Sequence, residues 1–250
     1  MLGALDIAIV TGVALVAGVF NAIAGGGRLF MFPTLVALGV PAVTANVTST
    51  VALCPGFLGA SYAQRRDLIG QGKRMARLVP VAIVGGAAGA VLLLASSEGA
   101  FNRIVPYLLL LSALLVAVQG KVRALLLARS GLAGGEVLAI VPVALAATYG
   151  GYFGAALGVI LLGALGIVLS EHLLRINALK QVLSLAVNVA ASIVFVAWGE
   201  VDWLLALVIA LGSLVGGAFG GILSRRIPDA TLRWVVIILG LIVAVIYFVR

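Results

Sequence analysis

Apolar positions along this chain gather into ten runs, roughly 5–24, 28–39, 42–63, 75–95, 101–119, 135–149, 152–169, 177–198, 203–223 and 234–249. A membrane-spanning helix takes about 20 residues, so 28–39 is too short to cross. Run 135–149 is also short, and Gly150-Gly151 separates it from the next. The polar stretches between runs are short, and none reads as a linker or a separate domain. The first run is not a signal peptide. It has no basic n-region, Asp6 stands where cations would be, and its apolar stretch is long. It reads as the first membrane helix. The pattern predicts an all-α, polytopic membrane protein: one membrane domain over 1–250, built from about ten helical segments, some of them broken.

Composition sharpens this reading. The chain is 64% hydrophobic and 10% charged, whereas a soluble domain carries about 25% charged residues. Its solvent must therefore be the lipid bilayer. The net charge of +8 sits in short loops between apolar runs. That is the positive-inside pattern, and it argues against a nucleic-acid face. The single cysteine, Cys54, excludes an intrachain disulfide and a cysteine-based metal cluster. No Walker loop, nucleophile elbow or zinc spacing occurs, so no cofactor is expected and enzyme chemistry has little to rest on.

The second half repeats the first at an offset of about 130 residues. Asn46 matches Asn177, and Gly85, Gly86 and Gly89 match Gly216, Gly217 and Gly220. Arg103 matches Arg233, and the Gly18–Gly25 spacing recurs as Gly151–Gly158. Repeat 1 is assigned to 1–125 and repeat 2 to 134–250. Loop 64–77 carries Arg65, Arg66, Lys73, Arg74 and Arg77, while its partner near 199–203 carries Glu200 and Asp202. Loop 96–104 has Glu98 and Arg103, while its partner 224–233 has Arg225, Arg226 and Arg233. The charge bias thus reverses between halves, which predicts inverted repeats. Loops 64–77, 120–133 and 224–233 are expected on the cytoplasmic side of the cell membrane, and both termini outside.

Two stretches could carry chemistry. Asn21 precedes Gly25, Gly26 and Gly27, which run directly into Arg28. Three glycines lower helix propensity by about 1 kcal/mol each, so the helix is expected to break here. Amides freed at such a break, heading the 28–39 segment, favour an anion; close helix packing is the alternative. An arginine between apolar runs is either functional or snorkels to the headgroups. Its planar fork suits sulfonate, carboxylate or phosphate.

The helix from Ile176 is the second centre. Asn177, Lys180, Gln181, Ser184 and Asn188 form one polar stripe at helical spacing. The matching helix begins with Asn46, Thr48, Ser49 and Thr50, then has Leu53 and Phe57 where Ser184 and Asn188 would be. Such faces line a cavity or hydrogen-bond between helices. All eight acids lie at or near segment ends, whereas Arg28 and Lys180 sit at membrane depth. The implied partner is therefore a small anionic solute. Glu171, His172 and Arg175 read as a solvated loop. Gly85 and Gly89, like Gly212, Gly216 and Gly220, read as helix packing, and Trp198 and Trp203 as interfacial anchors.

GVFNAIAGGGRLFMFPTLVALGVPAVTANVTSTVALCPGFLGA in the first half, with GGYFGAALG, RINALKQVLSLAVNVAA, GSLVGGAFGG and RRIPDATLR in the second, resembles the sulfite exporter TauE/SafE family, also called TSUP. The resemblance covers nearly the whole chain. It implies a multi-pass permease for sulfur-containing anions such as sulfite, sulfoacetate and related organosulfonates. Arg28 stands where the family often has a fourth glycine or another small residue, which adds a cation. The expectation is a secondary transporter with a site near the midplane, and a homo-oligomer fits such a chain. An anion channel with the same lining is the alternative.

Overall fold

A computed structural model of the chain describes residues 3–23, 25–128, 136–169 and 171–223. These residues form nine α-helices and no strand. The helices are α1 (Ala4–Ile23), α2 (Arg28–Ala37), α3 (Ala42–Ala63), α4 (Gly72–Ala95), α5 (Glu98–Ala128), α6 (Ile140–Tyr152), α7 (Leu157–Val168), α8 (Leu173–Trp198) and α9 (Trp203–Leu223). Among these, α1, α3, α4, α5, α8 and α9 contain stretches long and apolar enough to cross a bilayer. The predicted run 234–249 and loop 224–233 lie outside the described residues, as does Arg129.

Two expectations need correcting. α5 continues to Ala128, through Lys121 and Arg123, which the pattern assigns to a loop. Its apolar stretch ends at Gln119, so cations mark where the helix leaves the apolar span rather than where it stops. Gly150-Gly151 also does not separate two helices. Both residues lie inside α6, and the break falls at 153–156, where Gly154 and Ala156 have φ of +70° and +61°. Gly151 serves packing instead: a Cβ there would lie 2.0 Å from the Gly86 carbonyl oxygen.

The long helices α3 and α8 cross antiparallel. Asn177 Nδ2 donates to Gln64 Oε1 at 2.7 Å, where α3 ends and α8 begins. Midway, Cys54 Sγ lies 3.3 Å from Ser192 Oγ. Beyond the far end of α8, the Asp202 amide donates to Thr48 Oγ1 at 3.0 Å. The helices that match in sequence therefore point in opposite directions. The basic α3–α4 loop and the acidic α8–α9 turn lie at opposite ends of the pair, here termed the basic end and the acidic end.

The glycines set the remaining directions. Going along α9, Gly212 meets Ala14, Gly216 meets Leu15, and Gly220 meets Val19 and Ala22, so α1 and α9 are parallel. Going along α4, Gly85 meets Ala144 and Ala147, and Gly89 meets Thr148 and Tyr152, so α4 and α6 are parallel. With no hydrophobic force between helices in lipid, such backbone approach at small residues holds them together. Exchanging α1 with α6, α3 with α8 and α4 with α9 maps these contacts onto one another.

These directions define two hairpins. α1 starts beside the start of α9, at the acidic end, and α2 leads through Gly39 and Pro41 to the start of α3 at that same end. α6 starts beside the start of α4, at the basic end. From α7 the chain reaches Glu171, which pairs with Arg74 of α4 there. Thus α1 has the length of a spanning helix, yet the chain after it returns to the end it came from. Between the hairpins, α5 adds Phe101 to an edge-on cluster with Phe32 of α2 and Phe153. Outward-facing Leu58, Val84, Leu145 and Ile193 are exposed, as lipid-facing residues would be.

Candidate functional site: the junction of two helix breaks

The α1–α2 break is fixed by its own residues. Gly25 has φ of +76° and donates its amide to the Phe20 carbonyl at 2.9 Å. The Gly27 amide donates to Asn21 Oδ1 at 2.8 Å, and a Cβ at Gly27 would lie 2.1 Å from the Ala17 carbonyl oxygen. The α6–α7 break has its own supports. The amides of Phe153 and Gly154 both donate to the Tyr149 carbonyl. The Tyr149 hydroxyl donates to the Ala155 carbonyl at 2.7 Å, and Ser112 Oγ of α5 lies 2.8 Å from that hydroxyl.

The two breaks touch. The Gly158 amide points at the Gly25 carbonyl oxygen at 3.4 Å, and a Cβ on Gly25 would come within 2.3 Å of Gly158 Cα. Each break is also pinned by an amide side chain from the long helix of the other half. Gln181 of α8 donates through Nε2 to the carbonyls of Asn21 and Ala22 at the end of α1. Asn46 of α3 donates through Nδ2 to the Tyr152 carbonyl at 2.9 Å, at the end of α6. Interhelical bonds of this kind average about 0.6 kcal/mol each in a membrane protein. Their weight here is in fixing the breaks rather than in total stability.

Arg28, the first residue of α2, joins the two breaks. Its guanidinium is buried, donating through Nη1 to the Phe153 carbonyl and through Nη2 to Asn188 Oδ1 at 2.7 Å. Both acceptors are neutral. Gly154 makes the room: a Cβ there would lie 2.3 Å from Arg28 Nη1. A side chain held this way does not snorkel.

Around the junction, Asn21 Nδ2, Arg28 Nε, Asn46 Oδ1, Gln181 Oε1 and Ser184 Oγ are buried without a hydrogen-bond partner among the described residues. A buried polar atom left unsatisfied costs about 1–3 kcal/mol, so this concentration of them distinguishes the junction from the rest of the core.

The structure brings together Asn21, Gly25, Gly26, Gly27, Arg28, Asn46, Gln181 and Asn188. Ser184 lies one turn before Asn188, whose Nδ2 donates to its carbonyl at 2.8 Å. Ser49 Oγ donates to the Asn46 carbonyl at 3.0 Å. Lys180 is fully buried on α8 beside Gln181 in sequence. Thr48 and Asn177 sit apart, at the acidic and basic ends, where their side chains tie α3 to the α8–α9 turn and α8 to the end of α3. Sequence reasoning did not single out Gly154, Phe153, Tyr149 or Ser112. The glycine spacing in GGYFGAALG was the available signal for the first two. At the basic end Glu171 accepts from Arg74 at 2.7 Å and meets Arg175 at 2.9 Å. The hydrogen bond from Arg74 holds its carboxyl below the usual range.

Broken helices within a membrane bundle occur where the backbone is buried in protein or lines a water-filled cavity. Residues 10–247 match the family model described as Sulfite exporter TauE/SafE. The chain belongs to this family of membrane transporters. It is similar to the "Probable membrane transporter protein YfcA" of Escherichia coli K12, at 24% identity over 93% of this chain and 86% of that one. It is also similar to a "Probable membrane transporter protein" of Haemophilus influenzae, at 27% identity over 94% of this chain and 91% of the relative. No solved structure matches the chain. The transporter is thus a multi-pass membrane protein that handles a small solute.

Proposed function

We propose that this transporter carries small sulfur-containing oxyanions, sulfite or an organosulfonate, through the junction of the two breaks. The observation that carries the reading is Arg28. It is a buried guanidinium whose described partners are neutral, surrounded by polar atoms without partners among the described residues, in a chain whose acids lie at segment ends. Arg28 Nε, Asn21 Nδ2 and Ser184 Oγ are free to donate to an oxyanion in place of its water. Gly25 to Gly27 keep backbone close to that place. Lys180 adds a second buried charge on α8, and Asn46, Gln181 and Asn188 hold the breaks in register. Thr48, Ser49 and Asn177 contribute by fixing the helices that carry those residues.

Transport follows by alternating access. Each hairpin opens from one end of the bundle, so movement of one against the α3–α4–α8–α9 scaffold exposes the junction to one side at a time. The positive-inside rule puts the basic end in the cytoplasm and the N-terminus outside.

The test is binding and flux. Purified protein is titrated with sulfite, sulfate, thiosulfate, sulfoacetate and simple carboxylates, then reconstituted in liposomes. Saturable sulfite or sulfoacetate binding, with flux accelerated by substrate on the far side, is the expected result. Preference for carboxylates alone, or no anion binding, overturns the substrate assignment. Flux indifferent to trans substrate makes the protein a channel.

A further inference from the structure

The last turn of a helix presents free carbonyls and about half a unit of negative charge. In broken-helix transporters such ends are where a coupling sodium ion binds. At the end of α6 the acceptors are the carbonyls of Tyr152 and Phe153. Asn188 Oδ1 joins them through Arg28. Asn46 lies beside them, donating through Nδ2 to the Tyr152 carbonyl, and its Oδ1 is buried without a partner among the described residues. Neutral carbonyl and amide oxygens are the donors a hard cation takes. Two here, the Phe153 carbonyl and Asn188 Oδ1, are occupied by the Arg28 guanidinium, which Gly154 admits by lacking a side chain. At the end of α1 the corresponding carbonyls, Asn21 and Ala22, receive the neutral amide of Gln181 and no charged side chain among the described residues. Leu157 opens α7 as Arg28 opens α2, so the counterpart of Arg28 is apolar. The charge is therefore supplied at one break only.

We infer that Arg28 is a tethered cation standing in the alkali-ion position at the C-terminal end of α6, so that the transporter binds its anion without a co-bound sodium or potassium ion. This deepens the anion-transport reading and rests on it for its consequence in transport. The electrostatic balance is local: the guanidinium faces the carbonyl end of α6 through Nη1 and leaves Nε for the solute. Removing it opens a pocket of neutral oxygens that a small monovalent cation can fill.

The experiment compares the full chain with Arg28→Gly and Arg28→Lys in sodium, potassium and choline chloride at equal ionic strength, reading thermal unfolding and sulfite binding. The parent and Arg28→Lys should each unfold at one temperature in all three salts, and the sulfite affinity of each should vary by no more than about twofold between salts. Arg28→Gly should be stabilised by roughly 3 °C or more in sodium or potassium over choline, as a site-bound ion requires. Its sulfite affinity should recover at least tenfold with the ion. A parent whose unfolding or sulfite binding depends on the alkali ion overturns the inference, as does a folded Arg28→Gly protein with no cation-specific stabilisation. A parent that binds no sulfite counts against the substrate assignment, and the unfolding comparison still decides the cation question.

Discussion

Gly25 of the first break lies against Gly158 at the start of α7, where a Cβ on Gly25 would fall 2.3 Å from Gly158 Cα. Within its own break Gly25 corresponds to Gly154: both have positive φ, and the amide of each donates to the carbonyl of an aromatic residue before it, Phe20 and Tyr149. The two breaks therefore meet backbone to backbone, beside Arg28. There is no room at this point for a side chain. Gly25 also has a left-handed φ of +76°, which an L-residue adopts only at a cost of about 1–2 kcal/mol.

The three glycines of the first break should therefore differ in tolerance. A Cβ at Gly25 or Gly27 meets backbone at 2.3 Å or 2.1 Å, whereas at Gly26 the nearest atom is Val116 Cγ2 at 3.3 Å. Gly25→Ala and Gly27→Ala should each destabilise by about 1–3 kcal/mol and abolish transport, while Gly26→Ala retains most of both. Unfolding temperature and liposome flux of the three variants check the order. Equal tolerance at all three positions would mean the breaks do not meet as described.

Much of this arrangement was legible in the sequence, and the remainder was hidden for identifiable reasons. The Gly25–Gly27 break is visible because three glycines outweigh the apolar pattern. The polar stripe of α8 is visible because Asn177, Lys180, Gln181, Ser184 and Asn188 keep helical spacing. What α1 does after Ile23 is not visible: its 20 residues have the length of a crossing helix, and only contacts with α9 and α3 reveal the return. The second break was misplaced because Gly150-Gly151 imitates a separator while serving contact with α4. Arg28's partner at Phe153 is a backbone carbonyl, and a carbonyl leaves no mark on residue identity. Asn177 shares a face with Gln181 but stands at the start of α8 and meets the basic end, whereas Thr48, two residues from Asn46, faces another side of α3 and meets the α8–α9 turn.

Topology follows from the antiparallel crossing of α3 and α8. Lys73 and Glu200 are both exposed and lie at opposite ends of that pair. Single cysteines at these positions, in a Cys54→Ala background, should differ in labelling by an impermeant maleimide on intact cells. Glu200→Cys should react and Lys73→Cys should not until the membrane is opened. Equal reaction at both would contradict the inverted arrangement.

The basic end carries a pH-dependent tie. Glu171 joins the end of the α6–α7 hairpin to Arg74 of α4 and Arg175 of α8. Its folded pKa lies below the ordinary 4.5 because of the Arg74 hydrogen bond first. A carboxyl with a depressed folded pKa contributes stability that is present above the unfolded value and lost as pH falls through the folded one. Glu171→Gln should therefore unfold slightly earlier than the parent at pH 7, by the small amount a solvent-screened pair contributes. The two melting curves should converge below pH 4.5. A difference that persists in acid would mean the tie is not ionic.

Asn188 gives the sharpest test of the charge at the junction. Its Oδ1 accepts from Arg28 Nη2 at 2.7 Å, and the side chain is buried. Asn188→Asp changes almost no volume and places a carboxylate on the guanidinium. The variant should fold at least as well as the parent, because a buried charge gains an oppositely charged partner in good geometry. If a solute oxyanion is the natural counter-charge, that built-in carboxylate competes with it. Loss of a charged hydrogen-bond partner typically costs about 1.5–3 kcal/mol, or roughly 10- to 150-fold in dissociation constant. Sulfite affinity should fall by that factor in Asn188→Asp, and similarly in Arg28→Met, while the exposed control Lys73→Met leaves it unchanged. The readout separates binding from folding, since the affinity is expected to drop while the unfolding temperature of Asn188→Asp holds or rises. Unchanged sulfite affinity in a stable Asn188→Asp protein would show that the solute does not meet Arg28, and would move the site along α8 toward Lys180.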